Sequence, residues 1–294
     1  MNPNINGPEE FDLAILCGYG TLPVEIAAEA TARGRRPFLI GIEGEAETAI
    51  ERFPSQYIAW GQLGKLLRLL ENLGIREVVF AGGVAKRPEI HKLKLDWGAI
   101  KSLPQILTFM IGGDNLALSG SIALLESWGL TVVGAHEIAP GLLANSGPIG
   151  TKAPTKHELA NLRLGYSACK ALGRYDIGQA SIAEAGRVVA LEGVEGTDLM
   201  LKRIVEMRRI GRMPIKGRYG VLIKTMKPGQ DPRADLPAIG PATIDGAVQA
   251  GLRGIGLEAN RALILERSST LAAAKRAGIF IYGLSHAEVA PDDS

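Results

Sequence analysis

Short apolar runs alternate with helical stripes along the first half of the chain, and this alternation limits the fold more than any other feature. Four runs predict strands: Asp12–Cys17, Arg36–Ile42, Glu77–Ala81 and Leu130–Gly134. Between them lie three predicted helices: Pro23–Arg33, Leu63–Leu73 and Asn115–Trp128. The middle helix has leucines at i, i+3, i+4 and i+7 and is ended by Gly74. Such alternation indicates a parallel sheet with helices on its faces.

The second half also mixes helices and strands. Predicted strands are Val188–Leu191, Tyr219–Thr225, Gly254–Leu257, Ala262–Leu265 and Ile279–Leu284. Predicted helices are His157–Leu172, Thr197–Arg208, Ile244–Gly251 and Ser269–Ala277. A stretch rich in glycine and proline precedes them and indicates a connection. We therefore predict a parallel-sheet domain at residues 1–140, a linker at 141–156 and a C-terminal mixed α/β domain at 157–294.

Charge and hydropathy exclude several classes of protein. The 33 Lys and Arg against 31 Asp and Glu give a net charge of +2, which does not favour nucleic acid as a partner. Cys17 and Cys169 lie in apolar patterns and are expected to be buried in a reducing compartment. No uncharged run reaches the roughly 18–20 apolar residues of a membrane span, and the N-terminus does not resemble a signal peptide. We expect a cytoplasmic protein.

The first candidate binding motif is Gly18, Tyr19, Gly20 and Thr21, which follows a predicted strand and opens a helix. Glycines let a backbone approach phosphate, and a helix N-terminus presents free N–H groups. The pattern resembles the dinucleotide fingerprint but has Pro23 at its last position. A tight strand-to-helix turn that binds no ligand is the alternative.

A second glycine turn follows the Glu77–Ala81 strand. Gly82, Gly83 and Val84 precede the cations Lys86 and Arg87. Glycines followed by two cations suit a phosphate, first by backbone approach and then by charge-assisted hydrogen bonds. An ordinary surface loop is the alternative.

A third motif, Gly196, Thr197 and Asp198, stands at the start of a predicted helix. Thr197 is expected to be the N-cap and Asp198 an acid of the first turn. Capping alone would explain both, although a hydroxyl and a carboxylate there could also hold substrate.

The segment from Lys224 to Gly240 is the richest in chemistry. It follows a strand, contains three prolines, and places six polar candidates close together in the sequence: Lys224, Lys227, Gln230, Asp231, Arg233 and Asp235. Cations stabilise phosphate oxygens, whereas carboxylates hold Mg²⁺ or orient water. The segment predicts phosphoryl chemistry, with a salt-bridged surface loop as the alternative.

Other catalytic signatures are missing from the sequence. The four histidines have no zinc-ligand spacing, and there is no nucleophile elbow or P-loop. His136 and Glu137 after a strand are the one local pair of interest, with a structural role as the alternative. The cations between Lys202 and Arg218 could meet anionic lipid headgroups or form a solvated helix face.

Together these motifs resemble a known family. CGYGTLP, AGGVAKRP, GAHEIAPGLL, DIGQ, VEGTD and KTMKPGQDPRADLPAIGPATI are similar, in order and spacing, to the two-domain UDP-2,3-diacylglucosamine pyrophosphatases of lipid A synthesis. The resemblance extends from about Leu13 to Leu284. It implies a Rossmann-like N-terminal domain, a distinct C-terminal α/β domain, and substrate bound between them. It also implies Mg²⁺-dependent hydrolysis to UMP and 2,3-diacylglucosamine 1-phosphate (lipid X), with water directed at the sugar-side phosphorus.

The resemblance also implies residue roles. The family's essential aspartate in R-x-D-L-P corresponds to Asp235, which is expected to be catalytic as metal ligand or general base. From the residues alone, Asp231 or Asp198 is the second candidate for a metal ligand or base. Asp114 and Asn115 stand where many members have the two acids of G-D-D, so Asp114 is given no role. The two glycine turns, Gly196–Asp198 and the cations of the Lys224–Gly240 segment would bind substrate. Leu142, Leu143 and Ile149 are candidates for an apolar acyl groove.

Two other functions remain open from the residues alone: a nicotinamide-dependent oxidoreductase built on the first glycine turn, and a non-enzymatic nucleotide-binding regulator. A lipid substrate predicts peripheral contact with the inner face of the inner membrane. A homodimer is expected only because symmetric dimers are common.

Overall fold

The computed structural model describes residues 10–84, 96, 114–214 and 217–289. These residues form two compact units. The first comprises the described residues up to Pro140 together with Arg233–Asp235, and the second comprises Gly141–Pro232 and the described residues from Leu236 onward. Residues 141–156, predicted to be a linker, lie within the second unit.

The first unit is built on a parallel sheet of five strands. They are β1 (Leu13–Cys17), β2 (Pro37–Ile42), β3 (Ser55–Ile58), β4 (Glu77–Ala81) and β5 (Thr131–Val133). Their spatial order is β3-β2-β1-β4-β5, and every pair is parallel. The predicted parallel sheet is confirmed. Strand β3 was not predicted, because its sequence, SQYI, has neither alternation nor a β-branched run.

Helices pack on the first sheet through apolar faces. They are α1 (Leu22–Ala32), α2 (Leu63–Leu73), α3 (Asp114–Ser127) and α4 (Ala135–Ile138), with a 3₁₀ turn at Thr48–Arg52. In α2 the leucine stripe buries Leu66 and Leu70 against the sheet. Gly74 ends that helix in the left-handed conformation, with φ +69°, as glycine commonly does.

The second unit has a six-stranded mixed sheet. Its strands are β6 (Gly147–Ile149), β7 (Ala180–Glu184), β8 (Arg187–Leu191), β9 (Val221–Lys224), β11 (Gly254–Glu258) and β13 (Phe280–Leu284). The order is β6-β13-β11-β9-β7-β8, with β9, β11 and β13 parallel and β6 and β7 antiparallel to their neighbours. A separate parallel pair joins β10 (Ala238–Ile239) to β12 (Leu263–Ile264). The predicted mixed α/β class is confirmed.

The second unit's helices are α5 (Lys156–Gly173), α6 (Gly196–Arg209), α7 (Pro241–Gln249), α8 (Arg267–Ala277) and α9 (His286–Val289), with a 3₁₀ turn at Pro140–Leu142. Helix α5 begins with a capping box, in which Thr155 accepts from Glu158 N and Glu158 accepts from Thr155 N. None of the helices in the described ranges is both long and apolar enough to cross a membrane.

The register of the second sheet defines two ends that matter below. Lys224 pairs with Leu257 and Ala180, so the carboxyl ends of β9 and β11 meet the amino end of β7; we call this the carboxyl end of the sheet. At the opposite, amino end, Glu184 closes β7 beside Arg187. Strand β7 was not predicted, because its sequence, ASIAE, is made mostly of small residues, yet all five of its residues are buried.

Candidate functional site

The two glycine turns lie side by side at the point where the strand order of the first sheet reverses. Strand β1 has β2 on one side and β4 on the other, so the chain crosses over β1 between β3 and β4. Ligands of open α/β sheets bind at such a switch point, outside the carboxyl ends of the strands. Gly18 follows β1 and Gly82 follows β4, so the sequence prediction that both turns lie at carboxyl ends agrees with the topology.

The glycines serve first to let the two turns touch. Tyr19 N donates to Gly83 O at 2.8 Å, and Gly83 N donates to Tyr19 O at 2.9 Å. A Cβ atom at Gly18 would lie 2.0 Å from Gly83 O, and one at Gly82 would lie 2.6 Å from Tyr19 O. Gly82 also has φ +88°. Only glycine fits both positions.

These contacts change how a phosphate could be bound there. Gly18 N donates to Ala81 O at 2.9 Å, and Gly20 N donates to Glu47 Oε1 at 3.1 Å. The amides of Gly18, Tyr19, Gly20 and Gly83 thus already have protein acceptors. The amide of Leu22, the first residue of α1, is a better candidate donor, because the first amides of a helix have no intrahelical acceptor. The Thr21 hydroxyl donates to Glu25 at 2.8 Å.

Exposed apolar side chains flank these turns. Tyr19 and Val84 are about half exposed, at 49% and 47%. Their exposure leaves apolar surface beside the switch point. Lys86 and Arg87, the cations predicted to follow the second turn, lie outside the described residues.

The carboxyl end of the second sheet gathers buried polar side chains. Six of those in the described chain lie there: Glu192, Lys224, Thr225, Lys227, Gln230 and Glu258. Two cations, two carboxylates, an amide and a hydroxyl at one end of a sheet are unusual in a protein interior, where charged groups must be paired and hydrogen-bonded. This is the strongest indication of a functional site in the second unit.

Both predicted lysines are held by partners on other elements. Lys224 Nζ donates to Ala238 O at 2.9 Å, which joins the start of the proline-rich loop to its end. Lys227 Nζ donates to Asp176 Oδ1 at 2.5 Å. Asp176 itself has φ +55°, a conformation that few non-glycine residues adopt. Each ammonium group is therefore fixed in place before any ligand binds.

Gln230 is buried and turns the loop back on itself. Its Oε1 accepts from Lys227 N at 3.1 Å, and its own N–H donates to Lys227 O at 3.2 Å. Asp231, which follows it, is half-buried. This compact turn places Gln230 next to Lys227.

Three residues of the same loop belong to the first unit. Arg233 Nη1 pairs with Glu126 Oε1 of α3 at 2.7 Å, and Ala234 packs on the core of the first sheet. Asp235, the predicted catalytic residue, is half-buried beside them. The predicted phosphate contact of Arg233 and the catalytic role of Asp235 remain predictions.

The prediction that Thr197 is an N-cap is wrong. Helix α6 begins one residue earlier, at Gly196, and Glu195 is its N-cap. The Thr197 hydroxyl instead donates to the buried carboxylate of Glu192 at 2.7 Å, and Glu192 also accepts from Gln179 N at 2.9 Å. An intrahelical position frees the hydroxyl to reach a charged acceptor, which is a stronger partner than a backbone amide. Asp198 does lie in the first turn, exposed.

Two functional groups at this end lack ordinary partners. Gln179 Oε1 is buried and accepts no hydrogen bond from the described residues. Thr225 Oγ1 is fully buried beside the Cys169 thiol, a weak partner, and makes no other hydrogen bond within the described part of the chain. Unsatisfied buried polar atoms are rare in proteins, so each of these two needs an explanation, such as an ordered water or a role in function.

Sequence analysis missed a second charged group at this end. Glu258 closes β11, and its carboxylate accepts from Lys170 Nζ at 2.7 Å, Met226 N at 3.0 Å and Tyr166 OH at 3.3 Å. Burial and the Glu258 charge raise the pKa of Tyr166 to about 12, so its hydroxyl stays protonated and donates. The signal was one carboxylate ending an otherwise apolar strand, GIGLE.

The cysteines and His136 contribute little to a site. Both thiols are buried as predicted, and burial raises the pKa of Cys17 and of Cys169 to about 12, which removes them as nucleophiles. His136 lies at the start of α4, where Glu137 Oε1 accepts from Gly134 N at 2.7 Å. His136 Nδ1 is buried and has no partner among the described residues.

The donors present fit magnesium better than zinc. No group of three His, Cys, Asp or Glu side chains in the described ranges forms a metal cage. Mg²⁺, however, is usually held by one or two carboxylates together with substrate phosphates and water. Asp231 and Asp235 supply two half-buried carboxylates on one loop. Each is by itself a suitable oxygen ligand for Mg²⁺.

Comparison with known proteins agrees with the motifs. The model for the LpxI N-terminal domain matches residues 12–142, and the model for the LpxI C-terminal domain matches residues 145–282. A curated relative from Caulobacter vibrioides, named UDP-2,3-diacylglucosamine pyrophosphatase LpxI, is 35% identical over 276 residues. The aligned part covers 94% of this chain and 98% of the relative. With both halves matched in order and nearly the whole length aligned, the chain belongs to the LpxI family.

Proposed function

We propose that this protein hydrolyses the pyrophosphate bond of UDP-2,3-diacylglucosamine in lipid A synthesis, in a Mg²⁺-dependent reaction that yields UMP and 2,3-diacylglucosamine 1-phosphate. The observation that carries the proposal is the set of buried cations and carboxylates at the carboxyl end of the second sheet, on the loop that leads to Asp235. The relative named for this activity aligns along nearly the whole chain.

The reaction requires charge neutralisation and a positioned water. Lys224 and Lys227 would bind pyrophosphate oxygens, because an ammonium group has three N–H donors and forms strong, charge-assisted hydrogen bonds with phosphate. Asp231 and Asp235 would hold Mg²⁺, which stabilises charge on phosphoryl oxygens and orients water. Asp235 would alternatively accept the proton of that water.

The bond changes balance without a further reactant. The oxygen of water bonds to the sugar-side phosphorus, and the bridging P–O bond breaks with its electron pair remaining on the oxygen of UMP. One proton passes to Asp235 or to solvent. Hydrolysis in ¹⁸O-water would therefore label 2,3-diacylglucosamine 1-phosphate and leave UMP unlabelled.

The decisive experiment assays UMP released from UDP-2,3-diacylglucosamine with Mg²⁺, with EDTA, and with the variant Asp235→Asn. We expect chelation to abolish turnover and Mg²⁺ to restore it, and Asp235→Asn to lower kcat by about 10³-fold or more. Asp245→Asn changes an exposed helical aspartate and is the matched control, expected to retain activity. No turnover by the parent protein would overturn the function, and turnover that survives EDTA would overturn the metal dependence.

A second measurement separates the two roles of Asp235. If it binds the metal, Asp235→Glu raises the Mg²⁺ concentration needed for half-maximal rate. If it accepts the proton, the same variant shifts the acidic limb of the pH–rate profile instead.

The nicotinamide alternative is disfavoured by the first glycine turn. Its amides at Gly18, Tyr19 and Gly20 donate to protein acceptors, and Pro23 replaces the small residue of the fingerprint. NADH fluorescence should not change when the protein is added. Turnover would likewise exclude a regulator that only binds nucleotide.

We further propose that the protein meets its lipid substrate at the membrane surface as a peripheral protein, and that it forms a homodimer. A substrate with two acyl chains partitions into lipid. Co-sedimentation with anionic vesicles, and mass measurement in solution, test these two points separately.

A further inference from the structure

A ring of charged hydrogen bonds encloses the backbone N–H and C=O of one residue, Met226, at the carboxyl end of the second sheet. Lys170 Nζ donates to Met226 O at 2.7 Å, and Met226 N donates to Glu258 Oε2 at 3.0 Å. The same Lys170 ammonium donates to Glu258 Oε2 at 2.7 Å. Both polar atoms of the Met226 backbone thus bind one buried ion pair that comes from a different helix and a different strand.

Tyr166 completes the ring from α5. Its hydroxyl donates to Glu258 Oε1 at 3.3 Å, and Lys170 Nζ lies 5.2 Å from the centre of its aromatic ring. Every group that faces Glu258 in the described contacts is therefore a donor: an ammonium, a phenol and an amide. The pair is mostly buried, with the Lys170 and Glu258 side chains 25% and 12% exposed.

Met226 lies in the sequence between Lys224 and Lys227, the two lysines of the proposed phosphate site. Its neighbours are also fixed by hydrogen bonds: Thr225 N donates to Gln179 O at 2.9 Å, and Lys227 N donates to Gln230 Oε1 at 3.1 Å. Three successive amides are thus held: Thr225 N by the segment before β7, Met226 N by Glu258 of β11, and Lys227 N by the loop's own turn. Backbone freedom at Lys227 is removed before substrate arrives.

Stability alone does not account for such a pair. Moving two charges out of water costs about as much as their attraction returns, so a buried ion pair contributes little net free energy of folding. The ion pair instead restricts the surrounding backbone to one conformation, because any other conformation leaves a buried charge unpaired. Preorganised cations lower the activation free energy most where they stabilise charge that develops in the transition state.

We propose that Glu258, with Lys170 and Tyr166, positions the segment Thr225–Gln230 so that Lys227 and Gln230 meet the pyrophosphate in the arrangement required for turnover. Glu258 is a positioning residue in this scheme and does not touch substrate. The proposal rests on the proposed function, since it assigns a role to residues around that same site.

The variants Glu258→Gln, Lys170→Met and Tyr166→Phe test the ring. We expect Glu258→Gln and Lys170→Met to lower kcat by about 10- to 100-fold, with KM changed less than about threefold. The assays are run far below the melting temperature of each variant. Tyr166→Phe should lower kcat only about two- to fivefold, because its contact is the longest. The double variant Glu258→Gln/Lys170→Met should be no slower than the slower of its two single variants, because each substitution already removes the same arrangement.

Amide exchange supplies a readout that does not depend on activity. Hydrogen–deuterium exchange of the peptide containing Met226 and Lys227 should be slow in the parent protein and at least about tenfold faster in Glu258→Gln. Arg208→Met is the matched control: it removes a buried cation at the opposite end of the sheet, so it should lower the melting temperature without changing exchange at Met226 or kcat per folded molecule.

The outcomes separate the two proposals. Unchanged exchange at Met226, or faster exchange with unchanged kcat, overturns the positioning role. A fall in kcat that Arg208→Met reproduces also overturns it, because the loss would then follow stability in general. If the parent does not hydrolyse UDP-2,3-diacylglucosamine, the proposed function fails, whereas the exchange result still decides whether the ring orders the loop.

Discussion

The two ends of the second sheet both contain buried ion pairs, but they use them differently. At the amino end, Arg208 and Glu184 pair at 2.7 Å, and each side chain is only 8% exposed. The remaining Arg208 donors reach the carbonyl oxygens of Ala250, Pro214 and Tyr219. Every part of that guanidinium group has a protein partner, and its charge also lies 5.9 Å from the Tyr219 ring.

The carboxyl end has more charge and less complete bonding. Its ion pairs, Glu258 with Lys170 and Lys227 with Asp176, lie beside Gln179 Oε1 and Thr225 Oγ1, which lack ordinary partners among the described residues. A buried ion pair whose hydrogen bonds are all formed within the protein indicates a structural role. Unsatisfied hydrogen-bonding atoms next to fixed cations indicate a place for a ligand. The two ends therefore predict opposite responses to mutation.

The largest expected effect is on stability, at the amino end. Arg208→Ala should lower the free energy of unfolding by about 3–5 kcal/mol, because it leaves the Glu184 carboxylate buried without its partner. Urea unfolding followed by circular dichroism measures this change. Hydrolysis per folded molecule should stay at the parental rate.

A small loss of stability in Arg208→Ala, or a large fall in turnover by the folded fraction, would remove the contrast between the two ends. Arg209→Ala is the control. Its partner Glu206 is exposed on the same helix, so the free energy of unfolding should not change measurably.

The next effect is on activity, at the carboxyl end. Lys227→Met should lower kcat for hydrolysis of UDP-2,3-diacylglucosamine by about 10²-fold, the usual consequence of removing one preorganised donor to developing charge. Stability should change little, because its partner Asp176 is partly exposed and can be solvated. Lys202→Met, on the exposed face of α6, controls for the loss of one positive charge. Equal rates for the two variants would show that the Lys227 ammonium does not bind substrate.

The elements of this fold follow from sequence where one local pattern decides them. The leucine stripe and Gly74 predicted α2 to the residue, and the β-branched run at Glu77–Ala81 predicted β4. Strand β7 was missed because three of its five buried residues are small, Ala180, Ser181 and Ala183, and their burial is imposed by neighbouring strands and not by their own hydropathy.

The candidate site was only half predictable for a similar reason. Lys224, Lys227 and Gln230 lie within one short segment, so their concentration is visible in the sequence. Glu258 and Lys170 are separated by 88 positions. The parallel pairing of β9 with β11 brings Glu258 to Met226, and helix α5 brings Lys170 there. The glycine turns show the converse case. Their position was predicted, but their mutual hydrogen bonds depend on the sheet order that places β1 beside β4.

A smaller effect tests the unsatisfied hydroxyl. Thr225→Val keeps the shape of the side chain and removes a buried polar atom that has only a thiol beside it. The free energy of unfolding should therefore rise by about 1 kcal/mol. KM for the substrate should rise if a ligand group normally meets that hydroxyl. A loss of stability would show that Thr225 is already well bonded, and the carboxyl end would then resemble the amino end.

The smallest effect concerns pH, again at the amino end. Burial alone would raise the pKa of Glu158, but hydrogen bonds from Thr155 and Arg253 together hold it below its ordinary value. A carboxyl whose pKa is lowered by folding stabilises the protein above its unfolded pKa of about 4.3, and this contribution disappears as the pH falls through the lower folded value. Glu158→Gln should thus be less stable than the parent by about 0.5–1 kcal/mol at pH 7, since Arg253 is partly exposed, and the difference should shrink toward zero near pH 3. A difference in unfolding free energy that is the same at both pH values would mean that the charge of Glu158 is not what holds the start of α5, and that its amide analogue caps the helix equally well.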